Sequence, residues 1–327
     1  MSASPEAVLM VNVGSPDAPT VPAVRRYLRE FLSDPRIIDL PGWQRWLLVN
    51  LIILPTRPKK SAHAYQQVWR PEGSPLAYFS QRQRDALEQR LRRPVLLAMG
   101  YGNPALPKVL AGLDGVQRLT VLPMFPHYAS ATVGSVLEGV YTRLAQRPHV
   151  PAVKVVPPFW SSPGFLDAQA ELIRSRLGDA EQLVLSYHGL PERQVRAADA
   201  GCLRSDACCD RLPAGCYRAQ CLATSRELAA RLPGVKLSAA FQSRLGRDRW
   251  LGPASDVHVA ELAKSGVRRI AVACPSFVAD CLETLEEVGL RLRDTFLQAG
   301  GSSFTLVPCV NDSPTFIDGL AQAVEAA

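Results

Sequence analysis

Three groups of residues have the types and spacing that chemistry requires. His188 follows the apolar run Leu183-Val184-Leu185-Ser186-Tyr187, and Gly189 and Pro191 stop the run just beyond it. Such a run reads as a strand, and in an open α/β sheet ligands sit outside the carboxyl ends of the strands, where an imidazole of near-neutral pKa serves as base or ligand. Glu283 and Glu287 are four apart in Asp280-Cys281-Leu282-Glu283-Thr284-Leu285-Glu286-Glu287-Val288-Gly289, so a helix there places both carboxylates on one face. Like charges at that spacing mildly destabilise a helix. The pair is therefore either an acidic helix start favoured by the dipole or a carboxylate track able to carry divalent metal and protons. The third group is Cys202, Cys208, Cys209, Cys216 and Cys221, set among Gly, Asp, Pro and Ser. Thiols so dense in polar surroundings point to metal. Four thiolates suit zinc or a two-iron two-sulfur cluster, and the adjacent Cys208-Cys209 matches the usual spacing of neither. Cys274, Cys281 and Cys309 lie in apolar contexts and read as core residues.

These groups need a scaffold, and the chain supplies an alternating one. Short β-like runs are expected near 7–13, 94–100, 117–123, 152–157, 181–187, 235–241, 268–274 and 303–308, with amphipathic helices between most of them, for example 21–31, 81–91, 163–177, 219–231 and 256–264. That alternation predicts an α/β fold with parallel sheets and right-handed crossovers. Leu119-Thr120-Val121-Leu122-Pro123-Met124-Phe125 is echoed by Ile270-Ala271-Val272-Ala273-Cys274-Pro275-Ser276-Phe277. The echo suggests two similar four-stranded, Rossmann-like domains with an active-site cleft between them. The expected division is 1–157, then 158–312 carrying His188, the glutamates and a Cys-rich insert at about 197–216, then a helix over 313–327 packing back on the first domain. No G-x-G-x-x-G or P-loop is present, which counts against a nucleotide enzyme.

Composition narrows the class further. The 327 residues are 47% hydrophobic and 20% charged, a soluble, globular balance. The start lacks a cationic signal-peptide pattern, so a cytoplasmic protein with reduced or metal-bound cysteines is expected. The net charge of +7 suits acidic small molecules or an anionic membrane surface. Lys and Arg are dispersed with no basic stripe interleaved with aromatics, so nucleic acid is not an expected partner. Residues 41–54, Pro41-Gly42-Trp43-Gln44-Arg45-Trp46 followed by Leu47-Leu48-Val49-Asn50-Leu51-Ile52-Ile53-Leu54, are too short to span a bilayer but suit an apolar lip touching one face of it.

The order of several motifs is specific. Asn12-Val13-Gly14-Ser15-Pro16, Arg29-Glu30-Phe31-Leu32-Ser33-Asp34, Tyr65-Gln66-Gln67-Val68-Trp69 leading to Gly73-Ser74-Pro75-Leu76, Ser186-Tyr187-His188-Gly189-Leu190-Pro191, Phe241-Gln242-Ser243-Arg244 with Trp250-Leu251-Gly252-Pro253, and the stretch from Asp280 to Glu287 together resemble ferrochelatase across nearly the whole chain. The resemblance implies a chelatase-type fold and insertion of Fe2+ into protoporphyrin IX to give protohaem, the last step of haem biosynthesis. It implies His188 and Glu283 as catalytic residues, with His188, Glu283 and Glu287 meeting the Fe2+ substrate. Arg57, Tyr65 and Ser74 match positions for the porphyrin propionates and edge, and Val13 and Trp250 match positions lining the ring faces. The lip, about 41–57, would be apolar enough to favour protoporphyrin over coproporphyrin. Some members carry a 2Fe-2S cluster on cysteines of an internal insert, which implies Cys202, Cys208, Cys209 and Cys216 as ligands here, with Cys221 as the alternative, since Tyr217-Arg218-Ala219-Gln220-Cys221 resembles the family's common helix start.

Rival readings make different demands. A tetrapyrrole or metal carrier needs an axial ligand but no base facing a carboxylate pair. A chelatase for another metal would be separated by metal competition, and no His-rich tract points to nickel or cobalt handling. A redox sensor on a vestigial fold has no use for both His188 and Glu283. A homodimer and peripheral contact with the inner membrane are compatible with this reading.

Overall fold

The computed structural model describes residues 5–211, 215–244 and 248–327. Eight strands form two parallel sheets of four. The first is built from β1 (Glu6–Asn12), β2 (Val95–Met99), β3 (Arg118–Pro123) and β4 (Ala152–Val155), in the order β2-β1-β3-β4. The second uses β5 (Gln182–His188), β6 (Leu237–Gln242), β7 (Arg269–Ala273) and β8 (Ser303–Leu306), in the order β6-β5-β7-β8. Every expected strand is present, displaced by no more than a few residues. The two orders are the same, and the echoed segments are β3 and β7, which hold the same place in their sheets. That identity supports an ancient duplication.

The chain separates into two compact units. One comprises the described residues of Met1–Met124, Ser130–Pro157 and Leu320–Ala327; the other comprises Phe125–Ala129 and Pro158–Gly319. Within each, the first strand of the half is central and covered on both faces, so its side chains are apolar throughout instead of alternating. Leu9, Met10 and Val11 of β1 and Leu183, Val184 and Leu185 of β5 are wholly buried. Val184 packs with Ala240, Ile270, Val272, Val288 and Phe296 in the core of the second unit. Their branched and aromatic side chains fix the sheet and leave its carboxyl ends to present polar groups.

Among the described residues, Leu48–Ile53, Ser130–Gly134 and Glu283–Leu292 wind as π-helix. Gly42–Leu47 is α-helical, Leu48–Ile53 winds as a π-helix, and Leu54–Val68 resumes the α form. Pro55 and Pro58 lie just downstream and carry no N–H for the i−4 bond, which favours a wider turn before them. The last π stretch, Glu283–Leu292, carries the glutamate pair; an ordinary helix was expected there. Among the described residues, no helix is long and apolar enough to cross a membrane.

Candidate active site

His188 is the last residue of β5 and half-buried. On one side its strand pairs with β6, with His188 opposite Gln242, while pairing with β7 ends at Leu185 opposite Ala273. Beyond that point side chains replace the ladder. The His188 N–H donates to Ser276 Oγ at 2.9 Å, and the Tyr217 hydroxyl donates to the His188 carbonyl at 2.8 Å. The ring is held as well, with Nδ1 2.7 Å from the Gly189 carbonyl oxygen. A carbonyl only accepts, so this contact assigns the proton to Nδ1 and leaves the lone pair of Nε2 for chemistry. Gly189 has to be glycine here. A Cβ would stand 2.6 Å from the Gln242 carbonyl oxygen and 3.3 Å from the ring of Trp250. The same closeness puts Trp250, bridged to Pro191, directly beside Gly189, the residue after the histidine.

Glu287 faces this histidine. Burial raises the pKa of its carboxyl, and the neighbouring Glu283 charge adds to the rise; the Ser243 hydrogen bonds and the charges of His188 and Arg291 oppose it without cancelling it. Ser243 grips both oxygens, its N–H at 2.7 Å and its hydroxyl at 2.7 Å. Glu283 is half-buried one turn earlier, and its carbonyl accepts from Gln242 Nε2 at 3.0 Å. Gln242 in turn accepts from Ser186 Oγ at 2.8 Å, so β5, β6 and the π-helix share one polar chain. The π winding makes i, i+5 neighbours, and Glu286 uses this to bind Arg291 Nε with both oxygens at 3.0 Å. The start of the segment is pinned by Asp280, which accepts from Cys309 N at 3.0 Å and Asn311 Nδ2 at 2.8 Å. A base next to two carboxylates, one reluctant to ionise, is suited to receiving protons and passing a hard or borderline cation.

In the first unit, Val13 follows β1 and is half-buried, and Arg57 is exposed on helix Leu54–Val68. Tyr65, on the same helix, is 7% exposed and packs edge-on against Trp69. Ser74 has a local duty: its hydroxyl caps helix Pro75–Leu91 through Ala77 N at 3.1 Å and meets Ser15 Oγ at 2.6 Å. Trp43, Trp46, Leu51 and Ile52 of the expected lip are 58–66% exposed.

Four insert cysteines are buried close together. Cys202 and Cys216 sulfurs are 3.1 Å apart, and those of Cys208 and Cys209 are 4.0 Å apart. Cys208 and Cys209 ride the 3-10 turn Asp206–Arg211, and Cys216 precedes helix Tyr217–Arg231. Arg218 Nη1 lies 3.3 Å from Cys209 Sγ and 4.0 Å from Cys208 Sγ. Burial pushes the Cys209 thiol up to about 11 against the pull of Arg218. At Cys208 burial acts in the same sense, but the Leu203 N–H, Cys209 and Arg218 outweigh it and the net direction is down. Cys221 is fully buried within the helix, where the Tyr217 hydroxyl meets its thiol. Cys274, Cys281 and Cys309 are buried. Among the described residues, no three or more His, Cys, Asp or Glu side chains are arranged as a ready metal site.

The ferrochelatase family profile matches residues 5–327. The chain is 44% identical over 334 residues to the ferrochelatase of Pseudomonas putida strain W619, covering 98% of this chain and 99% of that one. It is 46% identical over 329 residues to the ferrochelatase of Azotobacter vinelandii, covering 97% of each. The chain belongs to the ferrochelatase family. It is a metal chelatase of haem synthesis, and iron is its substrate. Among solved structures, SirB from Bacillus subtilis with Fe3+ aligns over 98% of this chain and 94% of that one at a TM-score of 0.57 and 12% identity, a likeness of fold alone.

Three members of this ferrochelatase site were not singled out from sequence. Ser243 holds Glu287, while Ser276 and Tyr217 hold the backbone of His188. Ser243 lies in the Phe241-Gln242-Ser243-Arg244 motif, and Ser276 lies in the echoed strand-end segment, so position gave a signal for both. Tyr217 opens the Tyr217-Arg218-Ala219-Gln220-Cys221 segment, but nothing in that segment ties it to His188, 29 residues away.

Proposed function

We propose that this ferrochelatase inserts Fe2+ into protoporphyrin IX, with His188 as proton acceptor and Glu283 and Glu287 as the route for iron and protons. The observation that carries the reading is the His188 ring fixed at Nδ1, with no partner on Nε2 among the described residues and the half-buried Glu287 carboxylate near enough to interact with its charge. A free-base porphyrin must shed two pyrrole N–H protons as the metal enters. Nε2 accepts a pyrrole proton and passes it to the glutamates. Iron must arrive with most of its water removed yet remain releasable, which a few carboxylate oxygens and an imidazole allow. For the macrocycle we propose Val13 and Trp250 as ring contacts and Arg57, Tyr65 and Ser74 as contacts for the propionates and edge. Arg57 is the apt charge partner for a carboxylate. Ser74 would contribute only through the hydroxyl that also caps its helix.

Two further assignments belong to this proposal. The exposed Trp43, Trp46, Leu51 and Ile52 would rest peripherally on the inner membrane, where amphipathic aromatic side chains are favoured. The insert would hold a 2Fe-2S cluster on Cys202, Cys208, Cys209 and Cys216. The thiols are buried, fall into two pairs, and have a guanidinium beside one pair to favour thiolate. Two pairs suit two irons better than one tetrahedral ion. Such a cluster supplies one-electron chemistry that iron insertion does not use.

The test is His188→Ala. Insertion should fall by about 10²–10⁴-fold, as for loss of a positioned base, with protoporphyrin fluorescence titrations still showing binding. Substantial insertion by the variant would refute the assignment. A kcat/KM higher for coproporphyrin than for protoporphyrin would overturn the choice of substrate.

A further inference from the structure

We infer that Tyr217 is a positioning residue that ties the cysteine loop to the insertion site through the backbone of His188. The inference rests on the reading of His188 as the proton acceptor. Cys216 is the N-cap of helix Tyr217–Arg231, with its carbonyl accepting from Gln220 N at 3.1 Å. Its sulfur lies 3.1 Å from that of Cys202. The next residue, Tyr217, is 6% exposed and sends its hydroxyl to the His188 carbonyl at 2.8 Å. A single peptide bond thus separates the cysteine cluster from the residue that hydrogen-bonds the catalytic peptide.

The neighbouring contacts make this bond consequential. Pairing of β5 with β7 ends at Leu185, so the ladder on that side does not fix His188. Ser276 and Tyr217 do so instead, one at the N–H and one at the carbonyl. The same helix grips the preceding residue, with Tyr187 Oη 2.8 Å from Ser225 Oγ. Because the His188 ring is tied at Nδ1 to the Gly189 carbonyl, its orientation follows this backbone. A shift of Cys216 at the head of the helix is therefore passed to Tyr217, then to the His188–Gly189 peptide, then to the direction of Nε2. The loop sets the geometry of insertion without touching a substrate.

The test is a double-mutant cycle in the full-length protein with Tyr217→Phe and Cys202→Ser. Anaerobic iron insertion and the rate of His188 carbethoxylation by diethyl pyrocarbonate, read by mass spectrometry without turnover, are both measured. Tyr217→Phe should lower kcat about tenfold, the scale of one lost hydrogen bond, with KM for porphyrin and iron essentially unchanged. Cys202→Ser should lower kcat and alter the carbethoxylation rate in the wild-type background, and do little more once Tyr217→Phe is present. Fully additive losses, or wild-type kcat in Tyr217→Phe, would overturn the inference. If Tyr217→Phe does not fold, Cys202→Ser alone decides: His188 reacting at the wild-type rate overturns the coupling, and an altered rate supports it. His188→Ala separates the two levels. If that variant still inserts iron, the reading of His188 fails; if it is inactive and the cycle is additive, only the coupling fails.

Discussion

Ser243→Ala should move the acid limb of iron use to higher pH. Ser243 donates to both oxygens of Glu287, from the backbone and from the hydroxyl, each at 2.7 Å. Burial already raises this carboxyl, and these bonds hold the rise in check. Removing a hydroxyl donor from a charged acceptor costs about 1.5–3 kcal/mol, and about 1.4 kcal/mol corresponds to one pKa unit. The carboxyl should therefore climb by about one to two units. Fe2+ is attracted by the ionised form, so kcat/KM for iron falls as pH drops through the Glu287 pKa. The variant should show that fall at higher pH, with the alkaline plateau retained. The sign for stability follows separately. A carboxyl raised in the folded state holds its proton where the unfolded chain has lost it, so stability declines as pH rises from the ordinary glutamate range through the raised value. Ser243→Ala should extend that decline upward. Ser243 has φ +68°, a left-handed conformation that alanine also finds costly, so Ser243→Gly is the companion that relieves strain while still lacking the hydroxyl. The assay is kcat/KM for iron at saturating porphyrin against pH, with Glu287→Gln as reference. If Glu287→Gln removes the acid limb and neither Ser243 variant moves it, the reasoning is wrong.

Other outcomes follow from single contacts. Gly14→Ala should cost about 3 kcal/mol or more in denaturant melts, because Gly14 has φ +104° and a Cβ would sit 1.8 Å from the Tyr101 carbonyl oxygen. Asp280→Ala should lose about 2–4 kcal/mol by removing the acceptor of the Cys309 N–H and of Asn311 Nδ2, and should raise KM for iron more than KM for porphyrin because the π-helix start is freed. Anaerobically purified protein should show visible charge-transfer bands with about two irons and two acid-labile sulfides per chain; a colourless protein containing one zinc would sink the cluster. Replacing Trp43 and Trp46 by Ser should weaken sedimentation with anionic vesicles at least about tenfold and leave melting little changed, since both side chains are exposed.

Legibility from sequence tracked the range of the forces involved. The strands were readable because central parallel strands are apolar on both faces, so Val8 to Val11 and Leu183 to Leu185 stand out as unbroken runs. His188 was readable because Gly189 and Pro191 mark where the strand must stop. The π winding of Glu283–Leu292 was not, since apolar spacing is nearly the same for either turn; only the Glu286–Arg291 pair at i, i+5 hints at it. Ser74 shows the opposite failure. A serine before Pro75 is a strong helix cap, and that local role coexists with a position that the family resemblance assigns to substrate. The hydroxyls of Ser243, Ser276 and Tyr217 depend on partners 44, 88 and 29 residues distant, which no local pattern encodes.

The duplicated topology explains why chemistry settled in one half. β1 and β5 occupy the same place in their sheets, and each ends in a polar residue, Asn12 and His188, followed closely by glycine. Asn12 is 3% exposed and its amide is spent locally: Nδ2 donates to Ser80 Oγ at 3.1 Å, and Oδ1 accepts from Val13 N at 2.8 Å. It closes a strand end and has no proton to exchange near neutral pH. His188 uses one ring nitrogen to hold its orientation and keeps the other, with a raised carboxyl beside it. The strand end supplies the place in both halves, but only a side chain with a spare basic atom and a facing acid turns that place into a site for removing pyrrole protons. Exchanging the roles should therefore fail. His188→Asn would fit the backbone and its hydrogen bonds, and the protein should melt near the wild-type temperature while inserting no measurable iron. Retained insertion would mean that the base lies elsewhere.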